Sequence, residues 1–298
     1  MSRLNLIIAG AQRSATSSLK QALMLSPEIC FLSNSKEVLS YKGEYVGFPF
    51  ATPFNSYSMI GFEDGGKVYE EMTTADRPRR ERWNPAKLMK PKPKYYGTKW
   101  PYFMVFPHIA CNIRQHLPDA RILFILRNPT DCLWSSYRKS YSGSDLLSDF
   151  ESMVDERLAA VKDNFDDSNR QRWQHMLYSD ARLLHLDRGM YYSQLMNYIH
   201  LFGWSQVFVT NYQDFADQPL KAFADLMSWL NLPEPGQDGI DYSQVGKKHN
   251  SVHEHATKEI SALTMPLDVR KKLDDFYDPS NRRLCELMDW DFESWTQG

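Results

Sequence analysis

The chain has 298 residues, 42% of them hydrophobic and 24% charged, a globular balance with enough apolar material for one large α/β domain or two small ones. Its formal net charge of −2 gives no overall basic field, which argues against nucleic acid or an anionic membrane as the partner. A local basic pocket for a phosphorylated ligand stays open, because net charge says nothing about clefts. No apolar run approaches the length of a membrane span. Met1-Ser2-Arg3 leads straight into a strand, so we expect no leader, stem or anchor and a domain that starts at residue 4. Cys30, Cys111, Cys132 and Cys285 are too widely spaced for a CxxC pair or a zinc site, and a reduced, cytoplasmic setting fits them. Cys132, in an apolar stretch, reads as a small buried hydrophobe.

Residues 4–9 (LNLIIA) form a short apolar run ending at Gly10, the pattern of a buried parallel strand. Residues 16–25 follow with Leu19, Ala22 and Leu23 on one helical face, and Pro27 ends the segment. A further strand is expected at 29–32, beside the first, and another ending at Lys99. Residues 42–94 are rich in Gly, Pro, Tyr and charge and read as an irregular, partly helical insertion, the kind of long segment that often carries function. The second clear unit is the strand 121–126 (RILFIL), the turn Arg127-Asn128-Pro129, and a helix with Thr130 as its expected N-cap. A third strand is expected at 206–210. From about residue 146 the chain is mostly helical, with helical apolar spacing at 191–202 and 220–230. Strands alternating with helices predict an α/β fold with a central parallel sheet flanked by helices. No repeat or linker divides it, so one domain is expected.

Two loops follow strands. Gly10-Ala11-Gln12-Arg13-Ser14-Ala15-Thr16-Ser17-Ser18 joins the first strand to the first helix, where backbone N–H groups and the helix dipole favour an anion. A nucleotide triphosphatase loop of the form GxxxxGK[ST] would carry a glycine where Ala15 stands and a lysine where Thr16 stands. Here the cation comes earlier, at Arg13, and hydroxyls follow it. In the second loop Arg127 ends a strand and Ser135 is eight residues on, a guanidinium and a hydroxyl suited to a phosphate monoester. Two such loops at the carboxyl ends of parallel strands suit a ligand with two separated phosphates.

Together these loops resemble those of the sulfotransferases that use PAPS (3′-phosphoadenosine-5′-phosphosulfate). Arg13-Ser14-Ala15-Thr16-Ser17-Ser18-Leu19 is similar to the family's 5′-phosphosulfate loop, [KR]-x-G-T-[TS]-x-[LW]. The 3′-phosphate motif L-R-N-P-x-D-x-x-x-S-x-Y is present in full from Leu126 to Tyr137 and is the more specific of the two. Ser35-Lys36-Glu37 through Tyr41, Gly97-Thr98-Lys99 through Phe103, Gly189-Met190-Tyr191 with Leu195, the run from Asn211 to Phe215, and Phe276-Tyr277-Asp278-Pro279 with Asn281 resemble further family motifs in the family's order. The likeness is nearer to glycan-modifying, tyrosylprotein-type and bacterial members than to the small-molecule cytosolic ones. It implies a P-loop-like fold. Where the family has a glycine this chain has Ala15, which must then accept a backbone conformation usually given to Gly, or else the loop differs slightly. Arg13 replaces the commoner lysine, and Thr98 a glutamate.

The resemblance also implies roles. Arg13 would stabilise the oxygen bridging sulfur and the 5′-phosphate. Ser14, Ala15, Thr16, Ser17 and Ser18 would cradle the 5′ end, and Arg127 with Ser135 the 3′-phosphate. Glu37 is the candidate base, with a surface glutamate as the plainer reading. His108 competes with it, since small-molecule members use a histidine, and His249, His253 and His255 could also reach a cleft. Lys99 would touch the acceptor or the sulfonate, or else form a salt bridge. Tyr191 would adjoin the donor or simply pack its helix. Lys247 and Lys248 would close a basic loop over PAPS, or form a solvated turn.

The expected reaction is sulfonate transfer from PAPS to a hydroxyl or amine of a small-molecule or glycan acceptor, releasing PAP. No metal is expected. A P-loop kinase would need ATP with Mg²⁺, and the missing lysine argues against it. A non-catalytic nucleotide-binding protein on the same fold is the third reading. The acceptor and the oligomeric state are not written in the sequence.

Overall fold

The computed structural model describes residues 4–31, 40–41, 44–45, 93–141, 145–162, 184–237, 239–247, 260 and 262–297. Most of the insertion read at 42–94 therefore lies outside the described residues, as do Glu37, Lys248, His249, His253 and His255. The chain divides into two compact units. One comprises Met1–Ala11, Ala15–Leu126 and Asn197–Lys247; the other comprises Gln12–Ser14, Arg127–Met196 and Lys248–Gly298.

The first unit holds a five-stranded sheet in the order β2-β5-β1-β6-β7, with β1 Leu6–Gly10, β2 Ile29–Phe31, β5 Tyr95–Lys99, β6 Arg121–Leu126 and β7 Val207–Asn211. Every pairing in it is parallel. Two short strands, β3 Ser40–Tyr41 and β4 Glu44–Tyr45, pair antiparallel apart from it. The expected central parallel sheet is thus the one observed.

Alternation within β1 and β6 explains the continuous apolar runs. Leu6, Ile8, Leu123 and Ile125 face a core shared with Leu19 and Leu23 of α1 (Thr16–Leu23) and with Phe223, Leu226 and Met227 of a later helix, Pro219–Trp229. The other face is covered too: Phe124 meets the ring of Tyr198 edge-on at 5.0 Å, and the Tyr198 hydroxyl donates to the carbonyl of Phe103 at 2.7 Å. A parallel sheet covered on both faces leaves no polar alternation to read. Each large aliphatic side chain buried here contributes about 1.5–3 kcal/mol.

The expectation that the strand after Pro27 runs beside the first strand is corrected. β5 lies between them, with Leu6 opposite Gly97 and Ile29 opposite Tyr95. The reason is in the strands themselves. β2 is three residues long with Cys30 exposed, as suits an edge. β5 buries Tyr95, Gly97 and Thr98 and pairs on both sides.

The second unit is helical. Numbered on from α1 in chain order, and passing over α2 (Pro107–His116) of the first unit, it contains α3 (Pro129–Ser140), α4 (Leu146–Lys162), α5 (Leu184–Asp187), the start of α6 (Tyr191–Phe202), and, beyond α7 (Tyr212–Asp217) and α8 (Pro219–Trp229) of the first unit, α9 (Leu267–Met288) and α10 (Phe292–Gln297). Its core joins Leu133 and Trp134 of α3, Phe150 and Val154 of α4, and Val269, Leu273 and Tyr277 of α9. Thr130 is not the N-cap of α3. The cap is Asn128, whose side chain accepts from the Asp131 amide, and Pro129 takes the first helical position, where its missing N–H costs nothing. Thr130 instead donates its hydroxyl to Asp274 on α9 at 2.6 Å.

Candidate active site

β1 and β6 are neighbours running in the same direction, so the loops that follow them leave the sheet at the same edge. Gly10, the last residue of β1, has no room for a side chain: a Cβ there would lie 2.6 Å from the sulfur of Met104. Beyond it, Arg13 at φ 66° and Ala15 at φ 60° both adopt the left-handed conformation. The expectation that Ala15 takes a glycine's backbone geometry is met in full. Two left-handed residues around Ser14 turn the chain sharply into α1.

In the second unit the tip of this loop is tied to α3. Arg13 Nε donates to Ser135 Oγ at 3.0 Å. Ser14 is fully buried, its hydroxyl 3.3 Å from the Cys132 sulfur. The Tyr191 hydroxyl bonds to both Cys132 and Ser14. Burial pushes the Tyr191 phenol well up and the Cys132 thiol up as well, so both stay neutral, and neither is an activated nucleophile. Tyr191 is 2% exposed and packs beneath the loop tip.

Arg127 lies just past the carboxyl end of β6 with Nη2 3.6 Å from Asp131, a carboxylate that also receives Arg270 Nη2 at 2.5 Å. The hydroxyl expected beside Arg127 is held by the other loop arginine, Arg13, since Ser135 sits two turns into α3, on the side that the first-loop tip approaches. Arg270 escaped the sequence reading because the basic run it opens, Arg270-Lys271-Lys272 at the start of α9, belongs to no motif. Arg188 also escaped it. Its Nη1 donates to Gln12 Oε1 at 2.7 Å, and its place just before Gly189-Met190-Tyr191 was the available signal.

In the first unit Lys99, at the end of β5, donates from Nζ to Ser17 Oγ on the first turn of α1 at 2.9 Å. Thr16 and Ser18 are buried beside it in sequence. α1 carries no acidic residue in its first turn and no side-chain cap, so its N-terminal amides and dipole keep their positive end for an incoming anion. Lys247 is exposed at the end of the described segment. His108 falls on the first turn of α2. Among the described residues no group of three or more His, Cys, Asp or Glu is placed to hold a metal ion, and no helix is long and apolar enough to cross a membrane.

The second unit therefore sets the Arg13 guanidinium on the Ser135 hydroxyl of α3 and the Arg127 guanidinium beside Asp131 of the same helix, groups of the kind suited to phosphate and sulfate oxygens. The family model for the sulfotransferase domain matches residues 4–277. The chain is similar to the membrane-associated sulfotransferase kil1 of Dictyostelium discoideum, 20% identical over 97% of this chain, and to carbohydrate sulfotransferase 15 of Rattus norvegicus, 25% identical over 61% of it. It spans 66% of the length of the former and 32% of the latter. Among solved structures it resembles a sulfotransferase from Alicyclobacillus acidocaldarius, with a TM-score of 0.63 at 21% identity over 99% of each chain, a likeness of fold.

Proposed function

Because this chain belongs to the sulfotransferase domain family, we propose that it transfers the sulfonate of PAPS to a hydroxyl or amine of a glycan or small-molecule acceptor. The observation that carries the reading is the hydrogen bond from Arg13 to Ser135, two residues of the second unit that stand in the 5′-phosphosulfate and 3′-phosphate motifs respectively. Its glycan side rests on the similarity to a carbohydrate sulfotransferase. The family match runs through both compact units, which supports treating them as one catalytic domain.

In this reading the acceptor oxygen or nitrogen attacks sulfur in line. The bond from sulfur to the oxygen bridging the 5′-phosphate breaks, and PAP leaves with that oxygen. Arg13 stabilises the charge developing there, acting through its field, since a guanidinium stays protonated at working pH. Glu37 takes the acceptor's proton. Arg127 holds the 3′-phosphate. Lys99 steadies the sulfonate, with Ser17 holding its ammonium in place beforehand.

Calorimetry with PAP, adenosine 5′-phosphosulfate, and ATP with Mg²⁺ tests the donor. PAP is expected to bind without divalent metal. Arg127→Ala is expected to weaken PAP by about tenfold or more, on the scale of a lost charged hydrogen bond, and to leave adenosine 5′-phosphosulfate, which lacks the 3′-phosphate, nearly unchanged. Equal losses for both ligands would refute the assignment of Arg127. Binding of ATP with Mg²⁺ in preference to PAP would move the protein to the kinase reading. For the base, Glu37→Gln is expected to keep PAP affinity and lower turnover about 10²-fold or more. Normal turnover of Glu37→Gln alongside a dead His108→Ala or His249→Ala would make the base a histidine.

A further inference from the structure

The turn between α5 and α6 is fixed from several sides. Its amides close it locally, Gly189 N to the Leu186 carbonyl at 3.1 Å and Met190 N to the Asp187 carbonyl at 3.0 Å. Tyr277, fully buried on α9, donates its hydroxyl to the Leu186 carbonyl at 2.9 Å. Gln194 on α6 donates its amide to the Asp187 carbonyl at 2.6 Å. Gly189 then packs so closely that an added Cβ would lie 2.6 Å from Pro129, the first residue of α3, and 2.6 Å from the Tyr277 ring. Backbone position and packing thus set where Arg188 stands before any ligand arrives.

From that fixed turn Arg188 reaches Gln12, and Gln12 immediately precedes Arg13. On the far side of Arg13, Ser14 is held by Cys132 and Tyr191. The loop tip is therefore gripped before and after the arginine that meets the anion. Gln12 and Arg188 also border a small cavity of about 20 Å³ beside Cys132 and Tyr191.

We infer that Arg188 is a positioning residue of the donor site, which holds Gln12 so that Arg13 keeps its left-handed backbone and its guanidinium stays directed at the 5′-phosphosulfate. This rests on the donor reading for its function, but not for its geometry. The geometry is fixed by residues of the second unit alone.

The test uses the whole chain and four variants: Arg188→Ala, Arg188→Lys, Gln12→Ala, and Arg188→Ala with Gln12→Ala. Two measurements are made on each, PAP affinity by calorimetry and hydrogen exchange of the loop amides at 11–16 without ligand. Arg188→Ala and Gln12→Ala are each expected to weaken PAP about tenfold, the scale of a hydrogen bond to a charged group. The loss in the double variant is expected to fall well short of the product of the two single losses, since the contact between the two side chains is already gone in each. Arg188→Lys, which keeps a donor, should recover most of the affinity. Loop amides should exchange faster in the alanine variants while those of α4 stay unchanged, which separates a loosened loop from a loosened fold. If the two single losses multiply in the double variant, or if the loop amides are indifferent to Arg188→Ala, the inference is overturned. Should the unaltered protein fail to bind PAP, the donor reading falls, and the exchange measurement still decides whether Arg188 anchors the loop.

Discussion

Ala15 holds φ 60° and ψ 21° in a position where its own Cβ crowds the following carbonyl. That conformation costs a non-glycine residue about 1–2 kcal/mol, whereas glycine takes it freely and loses about 0.5–1 kcal/mol of chain entropy instead. Ala15→Gly is therefore expected to match or slightly exceed the stability of the unaltered protein in urea. Ala15→Val, β-branched in the same region, should lose about 2 kcal/mol. Equal denaturation midpoints for valine and alanine would mean that the loop does not hold this geometry. This residue was legible in advance because the loop motif calls for glycine where alanine stands. The partner of Ser135 was not. Arg13 and Arg127 are both near in sequence logic, and only the fold decides which guanidinium reaches the hydroxyl. Lys99 falls between these cases: its position at a strand end was readable, its hydrogen bond to Ser17 was not. Lys99→Met should lower turnover and leave PAP affinity within a few-fold if the ammonium serves the sulfonate. A loss confined to PAP affinity would assign it to the phosphates.

Elements that repeat a simple pattern were legible from sequence, and those that depend on a distant neighbour were not. β1, β6 and β7 follow from apolar runs before polar turns, and α6 from its spacing, because local chemistry and tertiary burial agree. The insertion of β5 between β2 and β1 depends on a crossover after a long segment, to which no local pattern speaks. α9 makes the point from the other side. Pro279 would ordinarily end a helix, yet the helix runs on to Met288, with Tyr277, Ser280, Asn281 and Leu284 buried around the proline. Tertiary packing outweighs the lost hydrogen bond. The close approach of the α5–α6 turn to α3 carries a sharper expectation. Gly189→Ala forces a methyl group against Pro129 and the fixed ring of Tyr277, neither of which can swing aside. A loss of about 1–3 kcal/mol is expected, the range for overpacking in a tight core. Thermal denaturation of Gly189→Ala at the same midpoint as the unaltered protein would show that the turn yields.

For the whole molecule, pH gives a test that the sequence could not have suggested, because nothing local marks Asp187 as unusual. Burial pushes its carboxyl up to about 7, with the neighbouring Arg188 pulling the other way. Burial also raises Asp274, so the two groups act with the same sign. At about pH 3 and below the Asp187 carboxyl is protonated in both the folded and the unfolded chain, and its full contribution to stability is present. As pH rises further, the unfolded chain releases this proton first. The folded chain keeps it until about pH 7, so stability falls across that interval. Asp187 is only half-buried, and relaxation around it keeps the expected loss to about 2 kcal/mol. Asp187→Asn keeps the shape and cannot ionise. Its advantage in unfolding free energy over the unaltered protein should be close to zero at about pH 3 and grow to about 2 kcal/mol at pH 8. Taking the difference between the two proteins at each pH removes the titration of every other carboxylate, including the exposed Asp241 and Asp291, whose hydrogen bonds lower them. An advantage of constant size from pH 4 to 8 would show that Asp187 ionises as an ordinary carboxylate and that the helical unit does not desolvate it.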